Sequence, residues 1–249
     1  MKTRAAIPPR QRADILLVER GLFESRAKAQ AAIAAGLVTA NAVPVRKASE
    51  IIAADAALAA ESAFPWVSRG GVKLDSALRT FGVGVTDRVC LDVGASTGGF
   101  TQVLLARGAR RIYAVDVGTG QLHPHLRGEP KIVSLERTDI RAIDPQRFDE
   151  PPDFMTIDVS FISLKLVLPA AFAVAARPAH VLALVKPQFE APRTHVKRGI
   201  VRDPGVHAAV VAETAAHAAS LGCCDIVSFP SPIPGGDGNL EFFVGAKLG

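Results

Sequence analysis

A glycine-rich stretch that follows a buried apolar run constrains this chain more than any other segment. Its sequence is Leu91-Asp92-Val93-Gly94-Ala95-Ser96-Thr97-Gly98-Gly99-Phe100-Thr101. The apolar run predicts a parallel strand, the small residues predict a turn whose backbone amides can approach a ligand, and residues 100–107 predict a helix. This order places N–H groups at a helix N-terminus, where a carboxylate or phosphate is favoured. We therefore expect a nucleotide-type cofactor site, the alternative being a turn without a ligand.

The spacing within this stretch bears on which cofactor is bound. A dinucleotide fingerprint reads G-x-G-x-x-G, whereas this chain has Asp-x-Gly-x-Ser-x-Gly. The pattern resembles the S-adenosylmethionine (SAM) loop of class I methyltransferases. The next predicted strand, residues 111–116, ends in Asp116, about 20 residues after the loop, where an acid would hold two ribose hydroxyls. An acid there suits NAD as well as SAM, so the preference for SAM depends on the loop.

Length and composition allow one full-sized domain and a small module. The chain has 249 residues, of which 49% are hydrophobic, enough for a doubly wound α/β core. Its three cysteines, Cys90, Cys223 and Cys224, lack the Cys-x-x-Cys spacing of a zinc site, so we expect a reduced, cytoplasmic chain without a metal. No apolar run is long enough to span a bilayer, so we expect no membrane partner.

Positive charge is concentrated at one end of the chain. Residues 1–47 contain nine Lys or Arg and three Asp or Glu, whereas residues 48–249 contain 20 and 21. A basic module beside a neutral domain indicates a polyanionic partner, most simply nucleic acid.

The order of predicted elements separates the two parts. Residues 13–20 and 26–35 predict short helices, and residues 37–40 and 43–45 predict strands around a turn at Asn41-Ala42. Residues 53–63 have high helix propensity but can also form a strand, and both possibilities stay open. From residue 64 onward strands and helices alternate, which favours a mostly parallel sheet flanked by helices. The predicted strands cover 111–116, 132–135, 154–157, 181–185, 226–229 and 240–244, and the predicted helices cover 68–81, 164–176 and 204–221.

Four charged residues are expected at the carboxyl edge of this sheet, where ligands bind. Asp158 and Lys186 follow predicted strands, Glu241 lies in the last predicted strand, and Lys73 lies in the helix before the first. Two lysines and two carboxylates form a neutral set that can be buried as pairs.

Five motifs of the second part resemble the TlyA family, whose members join an S4-type RNA-binding domain to an FtsJ-like methyltransferase domain. They are residues 68–74, 92–100, 158–164, 184–190 and 235–241. The two basic helices and following β turn at residues 13–60 resemble the S4-type fold. The resemblance implies a Rossmann-like, class I SAM-dependent methyltransferase (residues 64–249) preceded by a small α/β S4-type RNA-binding domain (residues 1–63).

The resemblance also implies an activity and its residues. The FtsJ-like Lys-Asp-Lys-Glu set falls on Lys73, Asp158, Lys186 and Glu241, with Lys186 accepting a proton from the ribose 2′-hydroxyl or orienting its oxygen. The expected SAM-binding residues are Asp92, Gly94, Ala95, Ser96, Gly98, Gly99, Phe100, Asp116, Val117, Asp139 and Asp158. The expected RNA-binding residues are Arg12, Arg20, Arg26, Lys28, Lys47 and Arg69.

The family activity implied is 2′-O-methylation of cytidine in ribosomal RNA, acting on free RNA or ribosomal subunits. We expect 23S RNA as the substrate, and whether 16S RNA is also methylated stays open. Two alternatives stay open. One is a non-catalytic RNA-binding or ribosome-assembly factor, and the other is a membrane-active haemolysin, a name that relatives carry.

Overall fold

The structure is a computed structural model that describes residues 9–235 and 237–249. The chain divides into two units, and the division lies between Ser68 and Arg69.

The first unit contains two short helices and five short strands. They are β1 (Arg10–Arg12), α1 (Ala13–Glu19), α2 (Arg26–Ala34), β2 (Val38–Ala40), β3 (Val43–Pro44), β4 (Ile51–Ala53) and β5 (Leu58–Ala60). β1 pairs antiparallel with β4, and β2 lies between β3 and β5 in a second antiparallel sheet. The predicted helices and the predicted strand pair are thus present.

Local signals explain the boundaries of these elements. The Ser25 hydroxyl accepts the Lys28 N–H and caps α2, as Ser does at helix N-termini. Asn41 and Ala42 both have positive φ, at 50° and 63°, the conformation of a two-residue hairpin turn. Residues 53–63 form no helix. Their strand β5 pairs with β2, so sheet pairing prevails over the helix propensity of the alanines.

The second unit alternates strands and helices. In chain order it contains α3 (Arg69–Phe81), β6 (Val89–Val93), α4 (Gly99–Ala106), β7 (Arg111–Val115), α5 (Pro124–Arg127), β8 (Ile132–Leu135), β9 (Phe154–Ile157), α6 (Leu164–Ala173), β10 (Ala179–Val185), α7 (Pro187–Glu190), α8 (Pro204–Ser220), β11 (Cys223–Pro230) and β12 (Phe242–Leu248). Short 3₁₀ turns lie at Ile140–Ala142, Pro145–Arg147 and Arg193–His195.

Seven of the described strands form one mixed sheet in the order β11-β12-β10-β9-β6-β7-β8. The five strands from β10 to β8 are parallel, whereas β12 is antiparallel to both β10 and β11. The order reverses between β6 and β9, because the chain fills one side of β6 before it crosses to the other. Ligands of such sheets bind at this switch point, outside the carboxyl ends of the strands.

The core of the second unit follows from the apolar composition of its central strands. Every residue of β6 and β9 is buried, as expected for parallel strands covered on both faces. Several element boundaries differ by a few residues from the sequence expectation, and one of them concerns a predicted site residue. β12 begins at Phe242, so Glu241 lies just before the last strand and not within it.

Candidate active site

A cavity of about 500 Å³ lies at the carboxyl ends of β6, β7 and β9, a volume typical of small-molecule sites. Six of the residues predicted to bind the cofactor line it: Gly94, Ser96, Asp116, Val117, Asp139 and Asp158. Five others do not: Asp92, Ala95, Gly98, Gly99 and Phe100. Sequence reasoning missed further lining residues, among them Gln121, Thr138, Ile140, Arg141, Phe161 and Ile162.

Gly94 brings two strand ends close together. It has a φ of 84°, and a Cβ added to it would lie 2.5 Å from the carbonyl oxygen of Asp158. Only glycine combines this backbone conformation with so close an approach. The turn after β6 therefore lies directly against the start of the segment that carries Asp158.

Asp116 connects the two turns that border the cavity. Its Oδ2 accepts the Ser96 N–H at 2.8 Å, and its Oδ1 accepts the Gly118 N–H at 2.7 Å. The acid at the end of β7 therefore holds the loop after β6 and the loop after β7 in one arrangement.

Asp92 serves the interior of the sheet and not the cavity. Its side chain is fully buried, and its carboxylate accepts hydrogen bonds from the hydroxyls of Thr101 (2.6 Å) and Thr156 (3.0 Å). Burial raises the pKa of this carboxyl to about 7, although both hydrogen bonds oppose the rise. Asp92 was expected among the cofactor-binding residues. Side chains alternate along a strand, so that of Asp92 points to the opposite face from Val93, which lines the cavity.

The start of α4 also faces the core. Gly98 has a φ of 91° and packs against Leu122 and Leu126, while Phe100 is 3% exposed and stacks on Phe243 at 6.4 Å. Gly98 therefore allows close packing at the start of the helix, which sequence alone does not separate from ligand contact.

Glu136 fixes the loop that follows β7. Its carboxylate accepts the backbone N–H groups of Gly120 (2.7 Å), Gln121 (2.9 Å) and Leu122 (3.3 Å). These bonds hold the pKa of Glu136 below its usual value, and the bond from Gly120 has the largest effect. The guanidinium of Arg127 donates to the carbonyl groups of Gly120 and Leu122 on the same loop. The carboxylate of Glu136 and the guanidinium of Arg127 therefore both hold the backbone of the loop that carries Gln121 at the cavity.

The four predicted catalytic residues form two ion pairs. Lys73 Nζ lies 2.5 Å from Glu241 Oε2, and both side chains are at least nine-tenths buried. Lys186 Nζ lies 2.6 Å from Asp158 Oδ1 and donates to Ser160 Oγ at 2.9 Å. The contact with Asp158 has the distance of an ion pair but not the angles of a hydrogen bond, so the buried Oδ1 has no hydrogen-bond partner among the described residues.

An exposed aromatic ring borders the cavity next to Ser160. Phe161 is 90% exposed, has a φ of 65° and lies 5.0 Å from the ring of Phe189. A positive φ is costly for a bulky residue and tends to occur at functional sites.

The lining favours a cationic ligand over a dinucleotide. Asp116, Asp139 and Asp158 contribute three carboxylates against one guanidinium, that of Arg141. Arg141 pairs with Asp139 at 2.6 Å and lowers the pKa of that carboxyl by its hydrogen bonds. The net negative lining suits the sulfonium and ammonium groups of SAM, whereas it would repel a pyrophosphate. SAM therefore fits the residues present.

Buried Asp14 holds two of the predicted RNA-binding residues in the first unit, Arg12 and Arg26. Its carboxylate accepts from Arg12 (3.0 Å), Arg26 (2.8 Å) and Gln30 (2.9 Å), and the bond from Arg12 above all holds its pKa well below the usual range.

The remaining predicted RNA contacts are placed as follows. Lys28 pairs with Glu24 at 2.7 Å, Arg20 donates to the carbonyl of Ala54, and Lys47 is exposed. Arg69 lies in the second unit, where it donates to the carbonyl of Pro234 at 2.7 Å.

Comparison with known families covers both units. The FtsJ-like methyltransferase family matches residues 66–248, and the S4 domain family matches residues 11–57. The chain is 44% identical to the 16S/23S rRNA (cytidine-2′-O)-methyltransferase TlyA of Mycobacterium tuberculosis over 238 residues, 94% of this chain and 89% of the relative. The chain belongs to the TlyA family.

Other relatives in this family carry a different name. Hemolysin A of Brachyspira hyodysenteriae is 38% identical over 93% of this chain and 97% of its own length. A solved structure from Streptococcus thermophilus with a hemolysin title is 42% identical, covers 98% of this chain and 90% of its own, and has a TM-score of 0.77. The methyltransferase fold itself is shared more widely. A Burkholderia thailandensis N1-methyltransferase has a TM-score of 0.50 at 16% identity, over 72% of this chain and 78% of its own.

Membrane-spanning helices and metal-binding clusters are both absent from the part of the chain that the structure describes. Among residues 9–235 and 237–249, none of the helices combines the length and apolar character needed to cross a membrane. Over the same ranges no three His, Cys, Asp or Glu side chains are grouped so as to hold a metal ion.

Proposed function

We propose that this chain transfers the methyl group of SAM to the ribose 2′-hydroxyl of a cytidine in ribosomal RNA in the cytoplasm. The observation that carries the proposal is the ion pair of Lys186 with Asp158, because Asp158 also lines the cavity whose lining suits SAM. The buried pair of Lys73 with Glu241 completes the set of four charged residues. The 2′-O-methyltransferase name of the 44% identical relative supports the same reaction.

SAM supplies an electrophilic methyl group when bound. The loops held by Asp116 and Glu136 would form its adenosine site, and Asp139 would border the same site. These residues bind and orient, and their preformed hydrogen bonds reduce the ordering that binding requires.

Lys186 is the residue we propose to contact the 2′-hydroxyl. A hydroxyl is a poor nucleophile, so its proton has to leave and its oxygen has to align with the methyl group. Asp158 and Ser160 hold the amine of Lys186 in place. In its neutral form the amine accepts the proton, and as an ammonium ion it orients the oxygen. A pH profile of kcat distinguishes the two, because only the first requires a deprotonated lysine.

Lys73 and Glu241 would position the site without contacting the proton. Their pair is buried, and each side chain compensates the charge of the other. Removing one partner from such a pair costs about 3–5 kcal/mol. Their role is therefore best tested after that of Lys186.

Ribosomal RNA is the proposed substrate, and residues 1–63 are proposed to bind it as an S4-type domain. Supporting this are the S4 match, the excess of nine basic over three acidic residues in positions 1–47, and the target named for the relative. The named target of the relative includes both 16S and 23S RNA. We propose 23S RNA as the first substrate and 16S RNA as the second.

The deciding experiment measures transfer of tritium from [methyl-³H]SAM to purified 23S RNA, 16S RNA and both ribosomal subunits. Primer extension at low dNTP concentration then maps the 2′-O-methylated nucleotide. We expect label on a cytidine. Absence of label on every substrate, together with tight RNA binding, would instead support a non-catalytic assembly factor. Leakage of liposomes caused by the pure protein would support the haemolysin alternative.

A further inference from the structure

A basic segment of the second unit contributes no residue to the lining of the cavity. Residues 191–202, here called the basic loop, contain Arg193, His195, Lys197, Arg198 and Arg202 and no Asp or Glu. All five side chains are exposed. The four Lys and Arg side chains make no ion pair with the residues that the structure describes, unlike Lys28, Arg110 or Lys165 elsewhere.

The basic loop has a defined backbone conformation. Lys197 and Ile200 exchange two backbone hydrogen bonds, at 2.9 and 3.0 Å. The two residues between them, Arg198 and Gly199, have φ of 52° and 78°, the conformation of the two-residue turn that suits a hairpin. The turn therefore presents Lys197 and Arg198 on a short, hydrogen-bonded hairpin.

A buried asparagine ties this hairpin to the rest of the unit. Asn239 is 1% exposed; its Oδ1 accepts the Val201 N–H at 3.0 Å, and its Nδ2 donates to the Gly199 carbonyl at 2.8 Å. His207, also buried, donates through Nε2 to the carbonyl of Val201 at 3.0 Å. These hydrogen bonds fix the backbone of the hairpin relative to the segments that carry Asn239 and His207.

The basic loop is connected to the proposed catalytic residues in two ways, through α7 and through Asn239. The basic loop follows α7, which begins directly after Lys186, and Asn239 precedes Glu241 by two residues. The backbone oxygen of Asn239 also accepts the N–H of Gly235, whose Cα lies next to the carboxylate of Glu241. The cations are thereby held in a fixed relation to the segments that carry Lys186 and Glu241.

We infer that the basic loop is a binding site for backbone phosphates of the RNA next to the nucleotide that is methylated. This inference rests on the proposed function and adds a substrate contact to it. Lys and Arg on a preformed loop are suited to phosphate oxygens. Residues 48–249 as a whole have no basic excess, with 20 basic against 21 acidic residues, and four of those 20 lie in the basic loop. The unpaired cations of the loop are therefore a local concentration of positive charge.

The test replaces two cations of the full-length protein. Lys197→Gln with Arg198→Asn removes both charges and keeps a residue that tolerates positive φ at position 198. The matched control, Lys131→Gln with Arg147→Gln, removes two exposed cations at the β8 side of the sheet. For each protein we would measure kcat and KM for 23S RNA, direct RNA affinity by filter binding at several salt concentrations, and Kd for SAM.

We expect the loop variant to raise KM for RNA and the Kd for RNA at least tenfold, with kcat and the Kd for SAM within twofold. The slope of log affinity against log salt should fall by about 1.4–1.8, since each neutralised phosphate contributes about 0.7–0.9. The control should change none of these, and Lys197→Arg alone should retain wild-type values.

Unchanged RNA affinity in a folded loop variant would overturn the inference. So would weakened binding to phosphatidylglycerol vesicles with RNA binding intact, because the loop would then serve an anionic lipid surface. The filter-binding measurement does not depend on turnover. If the wild-type protein methylates no RNA, the proposed function is contradicted. If the loop variant nevertheless binds RNA more weakly than the wild type, the loop assignment is still supported.

Discussion

Lys186 is the residue on which the proposed reaction most depends. We expect Lys186→Ala to lower kcat at least 100-fold, because general acid–base catalysis typically contributes about 10²–10⁴, while the Kd for SAM stays within a few-fold. Single-turnover methyl transfer and calorimetric SAM titration measure the two quantities. Lys165→Ala is a suitable control, because it removes a lysine that is also paired, with Glu213 at 2.7 Å, but on the surface. A large loss of SAM affinity in Lys186→Ala would instead make Lys186 a cofactor residue.

Asp92 makes stability depend on pH in a direction opposite to that of most carboxylates. Its pKa in the folded protein, about 7, exceeds its ordinary value of 3.8, so the folded state binds the proton more tightly than the unfolded state does. The contribution of this group is therefore fully present below pH 4 and is lost as the pH rises toward 7. Between pH 5 and pH 8 the wild-type free energy of unfolding should fall by about 2–3 kcal/mol more than that of Asp92→Asn.

Urea unfolding of both proteins at the two pH values measures this difference, and the remaining titrations cancel in the comparison. Equal pH dependence of the two proteins would mean that Asp92 is ionised throughout this range.

At the residue scale, the sequence predicted the pairing of the four charged residues better than the lining of the cavity. Lys73, Asp158, Lys186 and Glu241 come from four separate segments, and the structure pairs them two by two. Asp92 and Phe100 were expected among the SAM-binding residues from the family resemblance, and the side chains of both are buried. A strand or helix residue beside a ligand loop points either way, and the direction depends on packing that one motif does not encode.

The loop after β7 is the element whose geometry depends most clearly on one side chain outside it. Glu136 accepts three consecutive N–H groups of residues 120–122, and Gln121 of that loop lines the cavity. We expect Glu136→Ala to raise the Kd for SAM roughly tenfold, the effect of about 1.4 kcal/mol, because the loop would have to be ordered on binding. Calorimetric titration with SAM measures the change.

Glu129→Ala is a control for the loss of one carboxylate, since Glu129 lies in the short segment before β8 whereas Glu136 directly follows that strand. Unchanged SAM affinity in Glu136→Ala would show that the Arg127 contacts alone keep the loop ordered.

At the element scale, periodicity predicted the strands of the sheet but not every boundary. Residues 132–135 and 154–157 form strands with the expected ends. β12 begins two residues later than expected and continues to Leu248, because its antiparallel pairing with both β10 and β11 decides its length. The role of Glu136 was not predicted, because nothing in the sequence indicates that this acid accepts the backbone N–H groups of residues 120–122.

At the scale of the whole molecule, the features that the proposed reaction requires are distributed over the two units. The chemistry-bearing pairs and the cavity lie in the second unit, and the basic excess lies in the first. In the first unit the buried Asp14 holds Arg12 and Arg26, each of which keeps further N–H donors available for phosphate. This arrangement orients both arginines and leaves a net positive charge, because one carboxylate pairs with two guanidinium groups.

Removal of residues 1–63 should therefore weaken RNA binding much more than SAM binding. We expect at least a tenfold higher Kd for 23S RNA, a smaller dependence of that Kd on salt, and a Kd for SAM within twofold of the full-length value. Filter binding and calorimetry measure these quantities, with circular dichroism to establish that the shortened chain is folded. RNA affinity equal to that of the full chain would assign recognition to the second unit. The basic loop at residues 191–202 would then be the first segment to test, because its four exposed cations have no acidic partner among the described residues.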